Sequence, residues 1–300
     1  MASSLSPEGV IVPLVTPFSM DGSLDEAGLI DQLTWLSGRG LTGVVALGST
    51  GEAPLLEPPE RRRVIATAAA NREPDTMLIA GAGVESTRLT IRLAEEAAEA
   101  GADAVLVVNP SFYRSAMSPG TLYDHYCAVA GASPLPVILY SIPQNTGLAL
   151  GPDLVEELSA HPGIIGLKES GGDLRDLQLH LQRTPPGFSI ITGAATIAGP
   201  AAASGASAAI LAMANVVPEL CVEVFAAGRE GEVEEMRDLQ ARLSFLTRSI
   251  QGGYGISGVK AAVELLGGTG GELRAPLKPV DDDGRTAILA ALREAGLELP

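Results

Sequence analysis

The stretches PVILY at residues 136–140 and IIGLK at residues 164–168 decide the fold of this chain. Each is a short, nearly continuous apolar run, which is typical of a parallel strand that helices cover on both faces. Six further runs of this kind lie at residues 10–16, 43–47, 77–82, 104–108, 188–192 and 208–213. Because successive runs start about 20 to 35 residues apart, each is expected to be followed by one helix.

The segments between these runs have helical patterns. In residues 25–37, for example, Leu29, Leu33 and Leu36 fall on one face behind an acidic first turn. Eight strand–helix units predict an α/β fold of the (β/α)8 TIM-barrel type. An open, doubly wound sheet would show the same local pattern and remains the alternative.

Strand signals cease after the eighth run, and the remaining segments predict helices. These segments are residues 219–228, 231–250, 256–267 and 283–298. We therefore divide the chain into a barrel that carries the active site, residues 1–222, and a C-terminal helical extension, residues 223–300.

The composition argues against several classes of partner. With 46% hydrophobic and 19% charged residues, the 300-residue chain can bury a large core. Its net charge of −16 repels phosphate backbones and anionic lipids, so neither nucleic acid nor a membrane is expected as a partner. Cys127 and Cys221 make no disulfide framework and the N-terminus lacks a signal-peptide pattern, which together predict a cytoplasmic location.

The active site of such a barrel lies at the carboxyl ends of its strands, where Lys168 closes an apolar run. Burying an ammonium group there is costly unless it is paired or its pKa falls. A desolvated lysine can form a Schiff base with a carbonyl group. Alternatively, Lys168 has a structural role and is paired with a carboxylate, such as that of Glu169 or Glu52.

Tyr140 ends the preceding run, so a barrel would place it beside Lys168. A phenol at that position could move protons to and from an intermediate, although it could equally be a core aromatic residue. Ser49 and Thr50 lie in a Gly-rich turn after the second run. Such a turn suits a carboxylate or phosphate, or it is an ordinary connection between strand and helix.

No metal or cofactor is predicted. His125, His161 and His180 do not cluster and have no ligand spacing. Flavin, pyridoxal and P-loop motifs are absent from the sequence. Residues 61–63 (RRR) are interpreted as a solvated helix face.

Three motifs resemble, in order and register, the signature segments of the dihydrodipicolinate synthase/N-acetylneuraminate lyase family. They are GSTGE at residues 48–52, YSIP at residues 140–143 and GLKESGGD at residues 166–173. The likeness extends over nearly the whole chain. It implies a (β/α)8 class I lyase that forms a Schiff base with pyruvate or a related 2-oxo acid, commonly as a homotetramer built as a dimer of dimers.

The resemblance also implies roles for individual residues. Lys168 matches the Schiff-base lysine and Tyr140 the proton-relay tyrosine. Ser49 and Thr50 match the pair that binds the pyruvyl carboxylate. Tyr113 looks like the tyrosine that reaches the site of a neighbouring subunit.

Within the family the chain looks closest to the 4-hydroxy-2-oxoglutarate aldolase branch. Dihydrodipicolinate synthases usually carry an arginine at the position of Asn145. Asparagine in its place cannot form the bidentate hydrogen bonds that a guanidinium makes to a carboxylate. Ser170 would match a serine that contacts substrate, and Asn145 is taken as a further substrate-binding residue. Thr50 departs from that branch, which tends to have asparagine there.

The expected activity is cleavage of a 4-hydroxy-2-oxo acid, with 4-hydroxy-2-oxoglutarate favoured, to pyruvate and an aldehyde such as glyoxylate. One alternative is 4-hydroxy-tetrahydrodipicolinate synthase, which would condense pyruvate with aspartate semialdehyde and use another cation, such as Arg114, for the distal carboxylate. A further alternative is a non-catalytic barrel that binds a 2-oxo acid.

Overall fold

The computed structural model describes residues 5–300, and its centre is a closed barrel of eight parallel strands. The strands are β1 (Gly9–Pro13), β2 (Gly43–Ala46), β3 (Met77–Gly81), β4 (Ala104–Val108), β5 (Val137–Ser141), β6 (Ile164–Glu169), β7 (Ser189–Thr192) and β8 (Ala208–Ile210). Each strand pairs with the next, and β8 pairs with β1. The predicted TIM barrel is confirmed and the open sheet is excluded.

Two apolar layers explain why the strand runs are continuous rather than alternating. One layer fills the barrel interior and includes Ile11, Val45, Ile79, Leu106, Ile138, Tyr140, Ile191 and Ile210. The alternate residues of the same strands belong to a larger cluster that they form with the surrounding helices. Both faces of each strand are therefore buried.

Asn215 joins the two strands at which the barrel closes. Its Nδ2 donates to the carbonyl oxygen of Pro13 (2.7 Å), and its Oδ1 accepts from the N–H of Val15 (3.3 Å). Because the Val15 amide bonds to a side chain instead of a neighbouring strand, β1 ends at Pro13. The predicted run at residues 10–16 was too long at this end.

Helices connect the strands of the barrel. They are α1 (Glu26–Leu36), α2 (Pro58–Asn71), α3 (Thr87–Glu99), α4 (Pro119–Ala132), α5 (Pro143–Thr146), α6 (Pro152–Ser159), α7 (Leu174–Arg183) and α8 (Ala198–Ala203). The four-residue α5 belongs to the loop after β5. The helix predicted in residues 25–37 is present as α1, which Asp25 caps by accepting the N–H of Gly28 (2.9 Å).

Four helices follow the last strand, as predicted. They are α9 (Pro218–Glu230), α10 (Val233–Thr247), α11 (Gly253–Leu265) and α12 (Asp282–Glu294), with a π-helical turn (Arg248–Gly252) between α10 and α11. Residue 222 lies within α9, which packs against α8 and β1; the division of the chain at this residue stays a prediction. No helix in residues 5–300 has the length and apolar character needed to cross a membrane.

Lys260 on α11 fixes the C-terminal extension to the barrel. Its Nζ lies 2.5 Å from Glu52 Oε1 and donates to the carbonyl oxygens of Thr16 (2.8 Å) and Glu272 (2.6 Å). The Lys260 and Glu52 side chains are only 3% and 0% exposed. Because a buried charge needs a partner, this ion pair couples the extension to the turn after β2.

Replacement of Lys260 by Met should lower the free energy of unfolding by about 3–5 kcal/mol, because Glu52 would stay buried without its cation. The double variant Lys260→Met, Glu52→Gln should recover much of that loss. Chemical denaturation of the wild type, both single variants and the double variant measures the coupling. Additive losses in the double variant would contradict a coupled pair.

Candidate active site

Lys168 and Tyr140 lie side by side at the carboxyl end of the barrel. Lys168 on β6 is opposite Tyr140 on β5, as the sequence predicts. Both side chains are 5% exposed, and Lys168 Nζ lies 4.4 Å from the centroid of the Tyr140 ring. The strand register, rather than a flexible loop, thus sets the position of the amine relative to the phenol.

No carboxylate within residues 5–300 forms an ion pair with Lys168. Glu52, one of the two partners considered from the sequence, is paired with Lys260. Glu169, the other, accepts the N–H of Gly171 (2.6 Å). The amine of Lys168 is therefore buried without the counter-charge that a structural lysine would have.

Ser49 links the turn after β2 to Tyr140. Its Oγ is 3.4 Å from the Tyr140 hydroxyl, so the two groups can exchange a proton through a hydrogen bond. The turn is unusual because Leu47 and Glu52 both have left-handed backbones, with φ of 59° and 55°. Such conformations are costly for residues other than glycine and cluster at functional sites.

Ser170 and Gly193 complete the surroundings of the lysine. Ser170 is 7% exposed, and its hydroxyl has no hydrogen-bond partner within residues 5–300. A Cβ atom at Gly193, just after β7, would overlap Ser170 Oγ and lie 3.0 Å from Lys168 Cε. The absence of a side chain at Gly193 thus makes room for both groups, and the buried hydroxyl is available to a ligand.

A cavity of about 470 Å³ opens beside Tyr140 and Ser49, and Asn145 also lines it. Gln144, next to Asn145, donates from Nε2 to the carbonyl oxygen of Ser170 (2.9 Å). The loop after β5 is therefore attached to the end of β6. Thr50 is half-buried and does not line this cavity, nor does Lys168.

Tyr113 does not line the cavity beside Tyr140. Its side chain is 70% exposed and makes an edge-on contact with Phe112, with the ring centroids 5.1 Å apart. The loop that carries it is held by Glu85, whose carboxylate accepts the N–H groups of Ser111 and Phe112 at 2.9 Å each.

Arg61 was wrongly interpreted from the sequence as part of a solvated face. It is 8% exposed and donates to the carbonyl oxygens of Ala53 (2.9 Å) and Gly81 (2.8 Å) beside the cavity. Only Arg62 and Arg63 are exposed. Arg61 is three, four and seven residues before Val64, Ile65 and Ala68, so the helical spacing that places it on their buried face was the signal that the interpretation missed.

A closed parallel barrel with a buried, uncompensated lysine beside a tyrosine at its carboxyl end fits a class I lyase, an enzyme that acts through a Schiff base. The comparisons with known proteins agree. The profile of the dihydrodipicolinate synthetase family matches residues 6–295. The chain belongs to this family, whose members are lyases of the aldolase type.

Individual relatives cover almost all of the chain. It is similar to a 4-hydroxy-tetrahydrodipicolinate synthase of Methanopyrus kandleri, with 38% identity over 97% of each chain. The crystal structure of dihydrodipicolinate synthase DapA-2 from Bacillus anthracis has a TM-score of 0.92 at 29% identity, covering 96% of this chain and 99% of that one. The structure of YagE from E. coli K12 in complex with pyruvate has a TM-score of 0.91 at 28% identity, covering 97% and 99%.

Burial raises the pKa of the Glu169 carboxyl above its ordinary value of 4.5. The folded state therefore holds this proton more tightly than the unfolded state. The stabilisation is complete below about pH 4.5 and is lost as the pH rises through the raised pKa.

The free energy of unfolding of the wild type, relative to that of Glu169→Gln, should accordingly fall as the pH rises above about 4.5, by at most about 1.4 kcal/mol per pH unit. Urea denaturation of both proteins from pH 4 to pH 8 measures this difference, and the subtraction removes the contribution of all other groups. A flat difference, or one that rises with pH, would refute the assignment.

Proposed function

We propose that this lyase uses Lys168 to form a Schiff base with pyruvate, and that the resulting enamine reacts with an aldehyde that carries a carboxylate. The observation that carries the proposal is the buried amine of Lys168, which has no carboxylate partner in the described part of the chain and lies 4.4 Å from the ring centroid of Tyr140. A pyruvate complex of the similar protein YagE supports pyruvate as the ligand.

The reaction would begin when the neutral amine of Lys168 adds to the C2 carbonyl of pyruvate and water leaves, which gives a protonated imine. Loss of a proton from C3 then forms the enamine. In the synthetic direction C3 attacks the aldehyde carbon, whose oxygen takes up a proton to become a hydroxyl. Water adds to C2 and releases the product together with the Lys168 amine.

Tyr140 would carry the protons of these steps. Its hydroxyl is held by Ser49 Oγ at 3.4 Å, and its ring lies against the amine. The backbone N–H groups of Ser49 and Thr50 would bind the pyruvyl carboxylate. Ser170, with its unpartnered buried hydroxyl, would hydrogen-bond to the substrate.

The first candidate for the aldehyde is aspartate semialdehyde, which would make the chain a 4-hydroxy-tetrahydrodipicolinate synthase. Similar proteins from Methanopyrus kandleri and Methanothrix thermoacetophila carry that name, at 38% and 35% identity. This support moves the synthase ahead of the aldolase that the motifs favoured in the sequence.

Cleavage of 4-hydroxy-2-oxoglutarate remains the second candidate because of one observation. Asn145 lines the cavity beside Tyr140 and supplies no positive charge there. A non-catalytic barrel is no longer needed as an explanation, because the family consists of lyases.

Borohydride reduction in the presence of pyruvate should add one reduced pyruvyl group to the wild type, on Lys168. Lys168→Arg should form no adduct and lose all turnover while remaining folded, because a guanidinium cannot form the imine. Intact mass, peptide mapping and circular dichroism measure these outcomes. An adduct on another lysine, Lys278 for example, would contradict the assignment.

The aldehyde substrate can be identified by measuring kcat/KM for aspartate semialdehyde and for glyoxylate, each with pyruvate, and for the cleavage of 4-hydroxy-2-oxoglutarate. A preference of about 100-fold or more for one aldehyde is within what a site gains from one well-placed charged group. Preference for aspartate semialdehyde supports the synthase, and preference for the other two supports the aldolase.

We further propose a homotetramer, a dimer of dimers, in which Tyr113 of one subunit completes the site of its neighbour; a cytoplasmic location is proposed as well. The exposed position of Tyr113, outside the cavity beside Tyr140, supports this arrangement.

Mixing provides the test of this assembly. The Lys168→Arg and Tyr113→Phe variants should each be nearly inactive. In a mixed dimer, one of the two sites combines the intact Lys168 of the Tyr113→Phe subunit with the intact Tyr113 of the Lys168→Arg subunit. After dissociation and reassembly at equal concentrations, about a quarter of the wild-type sites should be active, by random pairing across a two-fold interface. No recovery would mean that Tyr113 acts within its own chain or not at all.

A further inference from the structure

Arg114 lies against the loop after β5, and a glycine makes this contact possible. A Cβ atom at Gly147 would lie 2.7 Å from Arg114 Cζ and 2.7 Å from its Nη1. Gly147 also has a left-handed backbone, with φ of 69°, where residues with a side chain are strained. The guanidinium therefore rests directly on the backbone at residue 147.

This guanidinium has neither an ion-pair partner nor a side-chain hydrogen bond within residues 5–300, although the chain contains 36 acidic residues. Glu85, in the connection after β3, is already bonded to the N–H groups of Ser111 and Phe112. Glu85 thus fixes the start of the loop that carries Arg114 and leaves the positive charge unneutralised.

The loop beneath Arg114 belongs to the active site. Gln144 bonds to the backbone of Ser170, and Asn145 lines the cavity that Tyr140 and Ser49 share. Gly147 follows Asn145 by two residues. Arg114 is exposed and does not line the cavity itself, but its contact with Gly147 places the guanidinium next to the loop that does.

We propose that Arg114 determines specificity by binding the carboxylate of the aldehyde substrate; this rests on the function proposed above. A guanidinium presents its N–H donors along its edges, in a planar fork that matches a carboxylate. With one face against Gly147, the edges remain free. The contact with Gly147 restricts the guanidinium before the carboxylate binds, which reduces the conformational entropy lost on binding.

The experiment separates the two half-reactions. Borohydride trapping and exchange of the C3 protons of pyruvate in D2O report the Schiff base and enamine without any aldehyde. kcat/KM is then measured for aspartate semialdehyde, glyoxylate and the uncharged glycolaldehyde. Arg114→Gln is compared with Arg88→Gln, which removes the same charge from an exposed position on α3.

In Arg114→Gln, kcat/KM for the preferred carboxylated aldehyde should fall about 10- to 100-fold, mainly through KM, which is the range of a hydrogen bond to a charged group. Trapping and C3 exchange should persist. Arg88→Gln should behave as the wild type, and Arg114→Lys should recover part of the loss. A parallel loss of C3 exchange, an unchanged kcat/KM, or a wild type that uses only glycolaldehyde would overturn the inference. Absence of trapping in the wild type would instead refute the proposed function.

Gly147→Ala tests the supporting contact. The Cβ of the alanine should displace the guanidinium and raise KM for the carboxylated aldehyde. In the double variant with Arg114→Gln, the same substitution should cause little further loss of kcat/KM. Gly187→Ala is the matched control, since Gly187 also has a left-handed backbone (φ of 91°) but no atom near its missing Cβ. Equal effects of Gly147→Ala with and without Arg114 would show that the glycine acts independently of the guanidinium.

Discussion

The barrel buries two lysines and neutralises only one of them, and the rest of the site depends on this asymmetry. Lys260 takes Glu52 as its counter-ion and two backbone carbonyl groups as acceptors. Glu52 belongs to the same turn as Ser49, and its pairing with Lys260 means that the carboxylate of this turn is not a counter-ion for Lys168. Lys168 Nζ instead lies against the face of the Tyr140 ring. Pairing Glu52 with Lys260 thus leaves Lys168 without a carboxylate partner among residues 5–300.

Much of this architecture can be predicted from the sequence because it depends on short periodic patterns. Continuous apolar runs such as residues 136–140 require cover on both faces, and eight of them at regular intervals close into a barrel. The neighbouring positions of Lys168 and Tyr140 follow from the same patterns, since both residues end adjacent strands. These features are local, or follow from strand order alone.

Features that depend on distant side chains could not be predicted. β1 ends early because Asn215, 200 residues away, takes the amide of Val15. The helical spacing of Arg61 with Val64 and Ile65 indicates its buried face, but not the carbonyl oxygens of Ala53 and Gly81 that accept its N–H groups. The clearance that Gly193 gives to Ser170 requires the packing of β6 against β7. Neither the local patterns nor the shared fold predicts the aldehyde substrate, because its recognition depends on loops that differ between members of a family.

The anchor at Glu85 has a consequence for how this enzyme could change. Glu85 holds the loop after β4 through the main-chain N–H groups of Ser111 and Phe112, which every residue except proline possesses. The position of the loop is therefore insensitive to the side chains it presents. Evolution or an engineer can exchange residues 112–114 without moving the backbone beneath them. The chemistry of the strands and the selectivity of the loops can then vary separately.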